Sequence, residues 1–222
     1  MIMKKRGLQT TALVLTLMFM FIFPLITYAQ ELNPIQLLKP QTEGGRPLMQ
    51  ALKDRKTDRA FSPEKLPLQT LSNLLWAAFG INRPDLGKRT APSAMNWQEI
   101  DLYVVLPEGA YLYDAKNHLL QPVNKGDFRG LTGIQPFVKE APVNLIYVAD
   151  FSKMTRATNE NKEIFSTADT GAIFQNVYLF CASEGLATGV RAGIDKTSLA
   201  KALQLRPDQK IVLAQSVGYP KK

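Results

Sequence analysis

The chain is poor in the residues from which most metal and thiol chemistry is built. Its 222 residues hold one cysteine, Cys181, and one histidine, His118. A single cysteine excludes an intramolecular disulfide. One cysteine with one histidine cannot make a zinc site of the usual kind. No glycine-rich dinucleotide fingerprint follows a strand-like run, so no Rossmann cofactor site is read here. No Gly-x-Ser-x-Gly nucleophile elbow is present either. Blocks of like charge, an arginine-rich arm and RNA-binding signatures are all missing, which removes nucleic acid from the expected partners.

One long apolar run exists, and it lies at the start. Lys4, Lys5 and Arg6 precede the run Thr11–Tyr28, which Pro24 interrupts late. Thr27-Tyr28-Ala29 then places small residues at the minus-three and minus-one positions. The pattern reads as a Sec signal peptide, residues 1–29, cleaved after Ala29. A periplasmic or secreted protein is expected, without stable membrane insertion after cleavage. A retained anchor is the alternative, because the run approaches a membrane span. No twin-arginine pair and no cysteine at the cleavage point favour Tat export or lipid attachment. Cleavage takes the net charge from +8 to +5, with 24 basic residues against 19 acidic. That modest surplus suits an anionic small ligand. Residues 30–53 read as a lead-in with a short helix from Leu48 to Lys53, and residues 54–222 as one domain large enough for a sizeable core.

Two polar segments stand out. Asp54-Arg-Lys-Thr-Asp-Arg-Ala-Phe61 packs three cations and a hydroxyl into five residues, Arg55 to Arg59. Arg binds phosphate bidentately, Lys supplies a point charge, and Thr adds a short donor. The second segment runs from Arg89 to Val105. It begins as a loop with a rigid Pro92 and with Ser93, Asn96 and Gln98, whose side chains can hydrogen-bond a planar heterocycle. It ends in the strand alternation Ile100, Leu102, Val104.

The remaining elements follow from periodicity. Pro67–Gly80 reads as a helix and Ile100–Val123 as an antiparallel meander turned at Pro107-Glu-Gly and Asp114–Asn117. Gly126–Glu140 lacks clear periodicity. Val143–Ala149 is a buried strand, the second half of the polar run Thr155–Ser166 begins a helix, Asp169–Glu184 is the strongest helix and is ended by Gly185, and Lys210–Tyr219 is a last strand. Asp195 caps a short helix expected over Ser198–Leu205. Gly185–Gly193, with three glycines in nine residues, reads as a loop whose backbone can approach a ligand closely and aim N–H groups at it. Cys181 is expected to be a buried small hydrophobe, and His118 an edge histidine beside a turn. A hydrolase using a serine near His118 remains an alternative class.

These segments, in this order, resemble the nitroreductase family. Arg55, Thr57 and Arg59 match its Arg-x-Ser-x-Arg-like segment, with Lys56 at the variable position. Pro92-Ser93-x-x-Asn96-x-Gln98 matches its flavin-contacting loop, and the wording from Asp169 to Gly193 is similar to its central helix and following loop. The resemblance lies closest to the branch of SagB- and ThcOx-type dehydrogenases, which oxidise azoline rings. It implies an α+β fold, a central mostly antiparallel sheet flanked by helices, in a homodimer with FMN at the subunit interface. It assigns the phosphate to Arg55, Lys56, Thr57 and Arg59, and the ring or ribityl chain to Ser93, Asn96, Gln98, Leu186 and Gly189. The protein would be an oxidoreductase acting between the flavin and a small-molecule substrate, with no metal and no assignable catalytic acid or base. A non-catalytic flavin-binding module of the same fold is the alternative. Family members usually continue with a basic residue after the last strand, a role left here to Lys221 or Lys222.

Overall fold

The structure, a computed structural model, describes residues 31–222. The proposed leader therefore lies outside the described residues. Among the described residues no helix is long and apolar enough to cross a membrane.

The sheet is organised around a strand rich in branched and aromatic residues, Val143–Asp150, every residue of which is buried. Its run Leu-Ile-Tyr-Val can be satisfied only if both faces are covered. In chain order the strands are β1 (Ile35–Gln36), β2 (Ile81–Arg83), β3 (Lys88–Arg89), β4 (Ile100–Leu106), β5 (Gly109–Asp114), β6 (Leu119–Lys125), β7 (Val143–Asp150), β8 (Ala187–Arg191) and β9 (Gln209–Gly218). Seven of them form one sheet in the order β1-β6-β5-β4-β7-β9-β8, and every pairing is antiparallel. β2 and β3 form a separate small hairpin closed by Gly87 at φ 58°.

The helices are α1 (Leu48–Asp54), α2 (Leu68–Phe79), α3 (Phe137–Glu140), α4 (Asn159–Glu184) and α5 (Lys196–Ala202). Alternation along the strands sends Leu102, Val104, Leu145 and Tyr147 to one face. There they meet Leu74, Leu75 and Phe79 of α2 and Ile173, Val177 and Cys181 of α4. Tyr103, Val105, Ile146 and Val148 turn to the other face and meet Leu199 of α5 and Leu203 beyond it. The result is the α+β arrangement expected, a large antiparallel sheet flanked by helices.

Three elements differ from the sequence expectation. The helical start expected within Thr155–Ser166 and the helix over Asp169–Glu184 are one continuous helix from Asn159, which Thr158 caps by accepting from Asn161 N. α5 begins at Lys196, because the Asp195 carboxylate accepts from both Thr197 N and Ser198 N. The glycine loop is instead mostly strand β8, held by β9 through Gly189↔Ser216 and its neighbours. Glycine and threonine hide the alternation that would mark it. β8 covers only Ala214–Gly218 of β9, so Gln209–Leu213 has a strand neighbour on the β7 side alone. A bulge at Tyr147/Val148 sits beside that half. α4 and α5 flank it, leaving a groove of about 600 Å³.

Candidate functional site

The cationic segment leaves the end of α1, where Arg55 N still donates to Ala51 O. It docks on β8 through Asp58 N, which donates to Thr188 O at 2.9 Å. Tyr178 of α4 holds it from beneath. The Tyr178 hydroxyl lies 3.0 Å from Thr57 Oγ1 and accepts from Val190 N at 3.0 Å. The Arg55 guanidinium sits 5.3 Å from the Tyr178 ring centre. Gly189 packs against this segment: a Cβ there would meet Asp58 O and Thr57 Cγ2 at 3.4 Å and Arg59 Cγ at 3.5 Å. So the sequence-predicted Arg55, Thr57, Arg59 and Gly189 come together in space.

The arrangement fits an anion. Neither Arg55 nor Arg59 has a carboxylate within ion-pair distance among the described residues, whereas Lys56 pairs with Asp58 at 3.5 Å. Thr57 and Arg59 are exposed, and so available to a ligand. The chain end joins the same place: Lys221 N donates to Ala60 O, although its ammonium faces Glu140 at 3.9 Å. Leu186 lines a cavity of about 230 Å³ behind the segment, with Lys56, Tyr178 and Gly185. Thr188 O and Val190 N both point away from β9, to Asp58 and Tyr178. Strand alternation therefore turns the N–H of Gly189 toward β9, while its Cα packs on the cationic segment.

Arg191, which periodicity did not single out, lies buried two residues along β8 from Gly189. Its guanidinium donates to Thr132 O, Thr132 Oγ1, Ser216 Oγ and Asn144 Oδ1 at 2.7–2.9 Å, all neutral acceptors. Burial pushes its pKa down to about 10, which leaves it charged at neutral pH.

The second predicted half is a tightly bonded loop. Ser93 Oγ accepts from Gln98 N at 2.8 Å and donates to Glu99 Oε2 at 3.2 Å. Gln98 is engaged at both ends, accepting from Arg89 Nε and donating to Gly87 O and Asn96 Oδ1. Met95, Asn96 and Gln98 all hold positive φ, near 50°. Such conformations cost roughly 1–2 kcal/mol per non-glycine residue, so the bonds around them must hold the loop in shape. Among the described residues, the Asn96 amide NH2 is the exposed donor left over.

Beneath this loop lie two carboxyls that no motif revealed. Asp169 of α4 accepts from Ala94 N at 2.8 Å, and Glu99 is fully buried with Oε1 unpaired. Burial, and then the Asp169 carboxyl beside it, push the Glu99 pKa up to about 7. The two halves are well separated within one chain. Gly189 pairs with Ser216, which pairs with Asn144, whereas Ile100 pairs with Ala149. The five steps from Asn144 to Ala149 span ~17 Å at about 3.3 Å each. Along α4, Asp169 under one half and Tyr178 under the other are ~14 Å apart at 1.5 Å per residue.

His118 does have a serine neighbour. Ser72 Oγ lies 2.7 Å from His118 Nε2, and Tyr113 Oη 2.9 Å from Nδ1. Ser72 is fully buried, however, and its hydroxyl donates to Leu38 O. Burial lowers the His118 pKa. The trio pins the lead-in segment to α2 and offers no substrate a path to the serine. Cys181 is fully buried and its thiol is pushed up by burial, as the sequence suggested. Among the described residues no group of His, Cys, Asp and Glu could hold a metal ion.

The Glu99 proton makes stability depend on pH with a definite sign. The native state keeps a proton that the unfolded chain releases near pH 4.5. The contribution is therefore present below that pH and lost as pH rises to about 7. At about 1.4 kcal/mol per pH unit of displacement, the loss is on the order of 3 kcal/mol. Urea denaturation at pH 5 and pH 7.5 should show most of this fall in the wild type, and Glu99→Gln should flatten it. An unchanged slope in the variant would assign the dependence elsewhere.

Comparison with known proteins places this geometry. The model of the nitroreductase family matches residues 52–219. A solved structure from Ralstonia eutropha, titled a nitroreductase, is similar at 42% identity and a TM-score of 0.82, covering 85% of this chain and 90% of that one. A nitroreductase-named protein of Methanocaldococcus jannaschii is 30% identical over 144 residues, 60% of this chain and 72% of that protein. The NADPH:FMN oxidoreductase of Vibrio harveyi, solved with NAD+, shares the fold at a TM-score of 0.61 and 16% identity, over 79% of this chain and 69% of that one. The match spans both polar segments, α4 and β8 to β9, and by it the chain belongs to the nitroreductase family.

Proposed function

We propose that the protein is an FMN-dependent oxidoreductase that moves hydride or electrons between a bound flavin and a small substrate. The observation that carries this is the anion cradle: two guanidiniums without carboxylate partners, an exposed threonine hydroxyl, and Gly189 beneath them. It suits one terminal phosphate, and the absence of a dinucleotide fingerprint favours FMN over FAD. When bound, the flavin supplies the electron chemistry, while the protein supplies position and charge. Arg55 and Arg59 neutralise the phosphate, Thr57 donates to it, and Arg191 adds buried positive charge. No acid or base is assigned, since Glu99, His118 and Cys181 are committed within the fold. The wording of the two polar segments and α4 supports the SagB- and ThcOx-type branch, with an azoline-like heterocycle as substrate class.

We propose further that the working unit is a homodimer. A two-fold pair would bring the Ser93–Gln98 loop of one copy to the cationic segment of the other. Exposed apolar side chains on α1, Leu48, Met49 and Leu52, and at Met95 and Ile134 are available for such a contact. Export is proposed from the leader alone, and intact mass should find a mature chain beginning at Gln30; a chain from exported protein that still begins at Met1 would mean a retained anchor.

Charge-assisted bonds contribute roughly 1.5–3 kcal/mol each, so Arg55→Ala should weaken FMN binding about ten- to hundredfold. Riboflavin, lacking the phosphate, should bind wild type and variant alike in equilibrium titrations. Equal losses for both ligands would make Arg55 structural, and recovery of FAD from the purified protein would overturn the cofactor. For the dimer, Arg55→Ala and Asn96→Ala proteins should each bind FMN poorly. After unfolding and refolding together, about half of the chains should pair as mixed dimers with one intact site. Flavin occupancy that stays at the level of the separate variants would place both segments in one protomer's site.

A further inference from the structure

Tyr178 touches three parts of the anion cradle at once, and no motif announced it. It is buried on α4, edge-on to Phe174 at 6.2 Å, with its ring under Arg55 and its hydroxyl between Val190 N and Thr57 Oγ1. The polarity of these bonds can be worked out. An amide N–H can only donate, so the phenol oxygen accepts from Val190. The phenol has one proton, and among the described residues Thr57 Oγ1 is the only acceptor within reach of it. Were Thr57 the donor, the phenol proton would have no protein acceptor among the described residues, an arrangement that native structures disfavour. Tyr178 therefore donates and Thr57 accepts.

The consequence falls on the exposed side of Thr57. A hydroxyl has one proton, and the Thr57 proton is not used by Tyr178. It is left to a ligand, on an exposed residue of the same segment as Arg55 and Arg59. We propose that Tyr178 is a positioning residue that makes Thr57 a dedicated donor to the ligand phosphate, while its ring supports Arg55. The inference rests on the phosphate reading above. The bonds run in one direction, from the Val190 amide through phenol and threonine to the anion, and each polarises the next. The cradle then prefers a group that only accepts, as an ionised phosphate does, over a sugar hydroxyl that must also donate.

The test is equilibrium binding of FMN and riboflavin to apo-protein, read by flavin fluorescence, for wild type, Tyr178→Phe, Thr57→Val, Thr57→Ser and the Phe–Val double variant. Phenylalanine keeps the ring under Arg55 and removes only the hydroxyl. Tyr178→Phe should weaken FMN about tenfold, and riboflavin should change less than about twofold. Thr57→Val should match it, Thr57→Ser should keep the wild-type preference, and the double variant should be no worse than Thr57→Val alone. Inorganic phosphate should compete with FMN less well in Tyr178→Phe than in wild type. The proposal is overturned if Tyr178→Phe leaves FMN affinity intact, if it weakens both flavins alike, or if the two losses multiply. Should Tyr178→Phe not fold, the exposed Thr57 pair decides: equal FMN affinity for Val and Ser overturns it. Failure of the underlying phosphate reading looks different, because wild type itself would then not distinguish FMN from riboflavin.

Discussion

A strand with no wet face sets the terms for the whole molecule. β7 is buried along all eight residues, so it needs a strand on each side and a layer on each face. β4 and β9 supply the edges, α2 and α4 one layer, and α5 the other. Every segment proposed to meet a ligand is attached to one of these covers. The Ser93–Gln98 loop leads into β4, the cationic segment docks on β8 beside β9, and α4 underlies both. Rigidity at the two ends is thus inherited from the need to keep β7 dry.

Charge is distributed unevenly along that frame. At one end, Arg55 and Arg59 have no carboxylate within ion-pair distance among the described residues, and Arg191 is held by neutral acceptors. The other end buries two carboxyls, Glu99 and Asp169, under the loop. α4 joins them and terminates toward the cationic end, where the negative partial charge of a helix C-terminus favours positive groups. A cation held by neutral acceptors keeps its field available to an incoming anion, whereas an internal salt bridge would have spent it.

Much of this was legible in the residues. β4, by its alternation, and β7, by its continuous apolar run, were found with their boundaries nearly right, because the hydrophobic pattern of each decided both pairing and burial. Arg55, Thr57 and Arg59 were visible as a cationic cluster with a hydroxyl, and Gly189 as one of three close glycines. β8 was not visible, since Ala-Thr-Gly-Val-Arg carries no alternation and becomes a strand only because β9 offers it an edge. The polar first turns of α4 were legible as the start of a helix within Thr155–Ser166, and the Thr158 cap sets where it begins. Tyr178, Arg191, Glu99 and Asp169 escaped for a common reason. Each acts through partners remote in the chain, Thr57, Asn144 and Ala94 among them, and no local spacing encodes such a contact. Ser93 and Gln98 matched a motif by spacing, but their hydrogen bonds proved to be spent largely on the loop itself.

The half-covered strand β9 has a consequence for how the molecule keeps to itself. From Gln209 to Leu213 its backbone has a strand partner on one side only. A bare edge of this kind is a template on which other chains can pair and grow into fibrils. Two features spoil it as a template. The bulge at Tyr147/Val148 bends the strand where an incoming chain would need it straight, and exposed Lys210 sets a charge in its path. The flanks of the groove, α4 and α5, narrow the approach to a single extended segment. Self-propagating aggregation from this sheet is therefore resisted by local geometry and charge, without a further strand to seal it.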